Sequence, residues 1–129
     1  MSCSSSSSYK CLRCYLINAR SLLNKLPELH HYLSVIKPDV LLITESWLYH
    51  GISSALLDPD SEYYVLRKDR GHNRGGGVCA FVSRAFNVVQ IDIDSLFDNI
   101  ELLSFDLISG RSRLRFLLST DHHTTAVMI

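Results

Sequence analysis

Val40-Leu41-Leu42-Ile43 is apolar at four successive positions; it follows Pro38-Asp39 and runs into Thr44-Glu45-Ser46-Trp47. A run without alternation, rich in branched side chains, predicts a strand covered on both faces inside a sheet. Any fold open to this chain must therefore supply two covering layers. Glu45 falls where that strand emerges. In open α/β sheets ligands bind outside the carboxyl ends of strands, which makes Glu45 a site candidate. A solvated strand-end glutamate is the other reading.

The flanking sequence supplies the first layer. Residues 12–17 read as a short, largely apolar strand ending in the polar turn Asn18-Ala19-Arg20-Ser21. Leu26, Leu29, Leu33 and Ile36 then recur at helical spacing. Asn24 is placed to cap that helix, Pro27 fits only its first turn, and Lys37-Pro38 ends it. Strand, helix, strand makes a crossover unit, with Asn18 and Glu45 both at carboxyl ends of strands. If the two strands are neighbours, these side chains share one crevice.

Downstream the chain reads as a short helical piece at 52–57, a turn at Asp58-Pro59-Asp60 and strands at 63–68 and 78–82. A long basic, glycine-rich loop joins those strands as a hairpin. Further strands follow at 88–93, 100–108 and 113–118, the last apolar enough to be central. The expected class is mixed α/β: one crossover helix, then mostly antiparallel strands.

With 129 residues the chain suffices for one core and not two. Thirteen basic and thirteen acidic residues cancel, so any electrostatic footprint for nucleic acid must be local. No apolar run reaches the ~18 residues of a membrane span, and Met1-Ser2-Cys3 before serines is not a signal peptide. An intracellular location, the nucleus included, is expected, with Cys3, Cys11, Cys14 and Cys79 as thiols. Cys11-x-x-Cys14 invites zinc but lacks a second ligand pair, so two cysteines along a buried strand is the preferred reading. Ser4 to Ser8 marks residues 1–10 as a disordered leader.

Arg67, Lys68, Arg70 and Arg74 form the one dense basic cluster, either a solvated loop or, beside the Glu45 crevice, a phosphate contact. Gly75-Gly76-Gly77 lacks the Lys-Ser/Thr and helix of a P-loop, so hairpin freedom or close packing explains it better. Trp47, Tyr63 and Tyr64 read as core or half-buried residues. Asp92, Asp94 and Asp98 lack the glycine and closing glutamate of a calcium loop. Asp121-His122 pairs a histidine with a carboxylate that would fix its tautomer, the makings of a general base, although an exposed tail looks the same.

Asn18-Ala19-Arg20-Ser21-Leu22, the helix ending in Lys37-Pro38-Asp39, Leu42-Ile43-Thr44-Glu45-Ser46-Trp47-Leu48, Arg67-Lys68-Asp69-Arg70 and Gly75-Gly76-Gly77-Val78 follow in fixed order. In that order they resemble the endonuclease domain of non-LTR retrotransposons, within the endonuclease/exonuclease/phosphatase superfamily of deoxyribonuclease I-like folds. The resemblance covers residues 12–118. It implies a partial α/β sandwich and Glu45 as ligand of a divalent metal, Mg2+ or Mn2+. Asn18 would be the site asparagine, Asp121 with His122 the water-activating pair, and DNA the partner. A hard cation with oxygen ligands suits charge on a phosphodiester.

Domains of that family are longer. Beyond the strand at 113–118 they carry a Tyr-Arg-Pro-Pro-like segment and a Gly-Asp-Phe-Asn motif, both absent here, and residues 119–129 resemble only the closing Ser-Asp-His motif and strand. The chain thus reads as residues 1–10 leader, 11–118 N-terminal half-domain and 119–129 tail, as if the second half were deleted. The expected function is a metal-dependent phosphodiesterase-type DNA endonuclease domain, inactive in this form. The alternatives are a nucleic-acid-binding module without cleavage and a non-functional mobile-element relic. Loss of the second half should also bare the Val40–Ile43 sheet face and invite self-association.

Overall fold

The computed structural model describes residues 11–70, 75–92 and 101–119, and the backbone of 124–128. The expected leader at 1–10, and His72, Arg74, Asp94, Asp98, Asp121 and His122, lie outside these residues. The strands are β1 (Cys14–Asn18), β2 (Val40–Thr44), β3 (Tyr63–Lys68), β4 (Val78–Ser83), β5 (Asn87–Ile91), β6 (Leu102–Ser109), β7 (Ser112–Ser119) and β8 (Thr124–Met128). They form two four-stranded sheets, in the orders β1-β2-β4-β3 and β5-β6-β7-β8.

The crossover between β1 and β2 is one helical segment of changing pitch. A 3₁₀ turn (Leu22–Lys25) leads into α1 (Leu26–His31), and a wider π turn (Tyr32–Ile36) ends it. Asn24 does not cap it, because the helical turns begin two residues earlier. There the Leu22 amide donates to Ser46 O at 2.9 Å, so a neighbouring loop satisfies a donor that a cap would otherwise serve. At the other end Lys37 turns left-handed (φ 53°) ahead of Pro38. Arg13 donates to the Ile36 and Lys37 carbonyls, pinning the helix end to the start of β1. A second helix, α2 (Ser54–Leu57), is capped by the Ser53 hydroxyl.

β2 has the two-sided burial expected of it: Val40, Leu41 and Ile43 are inaccessible and Leu42 nearly so. Parallel β1 lies on one side and antiparallel β4 on the other. Leu41 and Ile43 join Cys79, Phe81, Tyr63 and the helical residues Leu22, Leu29 and Leu33 in one cluster. Val40 and Leu42, on the opposite face, join Val78, Ala80 and Val82 with Leu103, Phe105, Leu107, Phe116 and Leu118 of the second sheet.

The apolar face expected to be bare is therefore covered. The covering layer comes from β5, β6 and β7; the alternation of β6 points Leu103, Phe105 and Leu107 one way and Ser104 and Asp106 the other. Phe105 and Phe116, cross-strand partners, stack at 4.9 Å. On the outer face the buried Asp106 carboxylate accepts from Arg115 at 2.7 and 3.0 Å.

β1 is the exception to good coverage. Among the described residues no strand pairs with its outer edge, and Leu16 is 52% exposed although its neighbour Leu42 is buried. The cysteines depart from the expectation of four thiols with Cys11 and Cys14 along a buried strand: Cys11 is disulfide-bonded and Cys14 is free and exposed, while among the described residues Cys79 is the free and buried one. Burial pushes the Cys79 thiol pKa up. Among the described residues no helix is long and apolar enough to cross a membrane.

Candidate functional site

Because β1 and β2 are parallel, their carboxyl ends lie side by side, with Asn18 opposite Thr44. The register continues across the sheet through Val78 to Lys68, so Asn18, Thr44, Val78 and Lys68 form one row at a common lip. Backbone hydrogen bonds carry the pairing past the strands. Ala19, Ser21 and Leu22 donate to the carbonyls of Thr44, Glu45 and Ser46. Held this way, the Asn18 Nδ2 donates to Glu45 Oε2 at 2.5 Å. The expectation that the first crossover brings these two side chains together is met.

The glycine loop ahead of β4 is stitched to the same turn. Ser46 N donates to Gly77 O at 3.2 Å and Trp47 N to Gly76 O at 2.8 Å. Gly77 has φ +85°, and a Cβ there would stand 2.7 Å from the Ser46 hydroxyl oxygen. Close packing of chains, rather than a phosphate cradle, explains that glycine.

Strain collects in these loops. Of six described non-glycine residues with positive φ, four (Arg20, Ser21, Glu45 and Trp47) belong to the two loops leaving β1 and β2. Such conformations cost on the order of 1–3 kcal/mol each and persist where the surroundings enforce them. Here the network of loop-to-loop bonds does so. Two buried polar atoms in the same turn, Ser46 Oγ and Trp47 Nε1, have no hydrogen-bond partner among the described residues.

The basic cluster divides. Arg67 is committed to the fold: its guanidinium donates to Tyr49 O, Ile52 O, the Ser54 hydroxyl and Asp69. With its side chain 14% exposed, it docks the 49–54 segment on β3, whereas the sequence groups it with the candidate phosphate contacts. Lys68 makes no side-chain hydrogen bond among the described residues. Arg70 pairs with Glu101, and the second Glu101 oxygen accepts from the Gly77 amide.

Glu101 drew no attention as sequence. A single acid before an apolar strand is commonplace, and its partners lie 24 and 31 positions earlier. The expected structural roles of the aromatics fit: Tyr63 is buried with its hydroxyl on Pro38 O, and half-buried Tyr64 lies under Arg84 at 4.6 Å.

Among the described residues no three His, Cys, Asp or Glu side chains gather around one point. The donor set at the lip is one carboxylate and one amide. With Asn18 Nδ2 bonded to Glu45 Oε2, Asn18 Oδ1 and Glu45 Oε1 have no hydrogen-bond partner among the described residues. Two oxygens on a half-open lip suit a hard cation that keeps waters and shares a phosphate, and do not suit a closed protein cage. Asp121 and His122 lie outside the described residues; Ser119 pairs with Leu102, next to Glu101, and Thr124 with Leu118 at the same end of the second sheet.

No family model and no curated protein matches the chain. Among solved structures, an AP endonuclease from Leishmania major is similar, with TM-score 0.62 and 18% identity over 82% of this chain. The chain spans 38% of that protein's length. The likeness is one of fold alone, a mixed α/β arrangement with two sheets and few helices.

Proposed function

We propose that this chain is a metal-dependent phosphodiesterase-type DNA endonuclease domain from a retrotransposon-like reading frame, which as a 129-residue polypeptide grips its target without cutting it. The observation that carries this reading is the Asn18–Glu45 pair at the shared lip of β1 and β2, on a nuclease-type fold. Glu45 Oε1 would hold Mg2+ or Mn2+, with Asn18 keeping the carboxylate oriented and offering its own amide oxygen. The bound cation supplies neutralisation of charge on a phosphodiester oxygen. Lys68, and Arg70 beside it, would take neighbouring backbone phosphates. Arg74 joins them in this proposal, and Asp121 with His122 would serve as the water-activating pair.

Cleavage also needs stabilisation of the pentavalent transition state, which the resemblance assigns to segments absent from this sequence. Binding that outlasts cutting is the consequence. Anisotropy of a labelled duplex with and without Mg2+, beside incubation with supercoiled plasmid, tests this. Metal should tighten binding, Glu45→Ala should abolish that gain, and the plasmid should stay intact. Binding indifferent to both metal and Glu45 overturns the reading. Nicking that Glu45→Ala removes would keep the class and overturn the inertness.

A further inference from the structure

We propose that Glu101 is a positioning residue for Glu45, acting through the glycine loop; this rests on the reading of the lip as a cation and phosphate site. The connection is continuous. One Glu101 oxygen accepts from Arg70 Nε and the other from the Gly77 amide. Gly77 and Gly76 carbonyls in turn accept from Ser46 and Trp47. Those two residues follow Glu45, and Glu45 and Trp47 are both held at positive φ. Glu101 belongs to the approach to β6, in the second sheet, so it is the point at which that sheet takes hold of the turn bearing Glu45.

The carboxylate is 14% exposed, and each oxygen serves a different donor, a geometry that needs two equivalent acceptors. The same contact sets where Arg70 stands. A Cβ on Gly76 would collide with the Arg70 guanidinium, so the bare glycine is what lets that side chain lie across the loop to reach Glu101. Glu101 therefore orients the carboxylate ligand and one phosphate-binding cation together.

Trp47 is the single tryptophan of the chain, and its ring nitrogen lies 3.6 Å from the position of a Cβ on Gly75. Its fluorescence reports on this loop alone. Glu101→Gln keeps the shape but leaves one acceptor oxygen for two donors. The expected result is a cooperative melt at a somewhat lower temperature, greater acrylamide quenching of Trp47, faster exchange of the Gly77 amide and roughly ten-fold weaker Mn2+ binding by calorimetry, as for other groups that orient a metal ligand. Glu101→Asp should recover only part of each.

If Glu101→Gln folds and neither Trp47 quenching nor Gly77 exchange moves, the inference is overturned. Should it not fold, Arg70→Gln removes one of the two contacts and must raise quenching; no change there overturns it equally. Failure of the underlying site reading shows itself separately, as wild-type protein that binds Mn2+ no better than Glu45→Gln.

Discussion

Glu45 sits at φ +50°, in a region that side chains with a Cβ avoid, and the hydrogen bonds of its neighbours hold it there. Gly77 is the residue on which that arrangement turns. Gly77→Ala would add a methyl group 2.7 Å from Ser46 Oγ at φ +85°, and is expected to cost about 2 kcal/mol and to loosen the Asn18–Glu45 pair. Gly110→Ala, also left-handed but with nothing within 4 Å, should cost about 1 kcal/mol. Chemical denaturation of the two variants side by side measures the difference.

Asp106 carries a pH dependence. The Arg115 hydrogen bond, reinforced by the charges of Arg115 and Arg113, holds its carboxyl below the ordinary value, with burial opposing. A depressed folded pKa gives stability that is complete above the unfolded value of about 3.9 and lost as pH falls through the folded one. Melting temperature should thus drop below about pH 4. Asp106→Asn should flatten that drop while costing about 2 kcal/mol at neutral pH, through loss of charged hydrogen bonds.

At the scale of elements, β2 bears the structure. Ile43→Ala would open a void between the helical segment and Phe81, at a cost of about 3 kcal/mol in a denaturant titration. β2 was also the most legible element, because four successive apolar residues permit few alternatives to a strand covered twice. The Asn18–Glu45 pairing could be read for a related reason: a crossover connection forces parallel neighbours, and parallel neighbours end together. Register and side-chain commitment could not be read. The density of Arg67, Lys68 and Arg70 is visible in sequence, but not that Arg67 spends its donors on the carbonyls of Tyr49 and Ile52. Nor does a local pattern mark Glu101, whose meaning comes from the packing of one sheet on the other. Asn24 looked like a cap because the pitch of the first helical turn depends on a carbonyl from a distant loop.

For the molecule as a whole, the arrangement of β5, β6 and β7 changes the expectation most. These strands alternate well enough to cover β2 and β4 with the chain's own residues, so the sheet face needs no partner. What lacks one, among the described residues, is the rim. β1 carries no lysine, glutamate or proline between Cys14 and Asn18, and natural edges usually include such a residue. Leu16→Lys should leave the melt unchanged, since the side chain is half in solvent, and should lower any concentration-dependent mass seen by sedimentation. An equal sedimentation profile for both proteins would place association elsewhere. A strand that shows its amides and carbonyls to water beside bare leucine and isoleucine is also a template: in a concentrated preparation, fibrillar growth would begin at residues 14–18 and recruit chain after chain from that side.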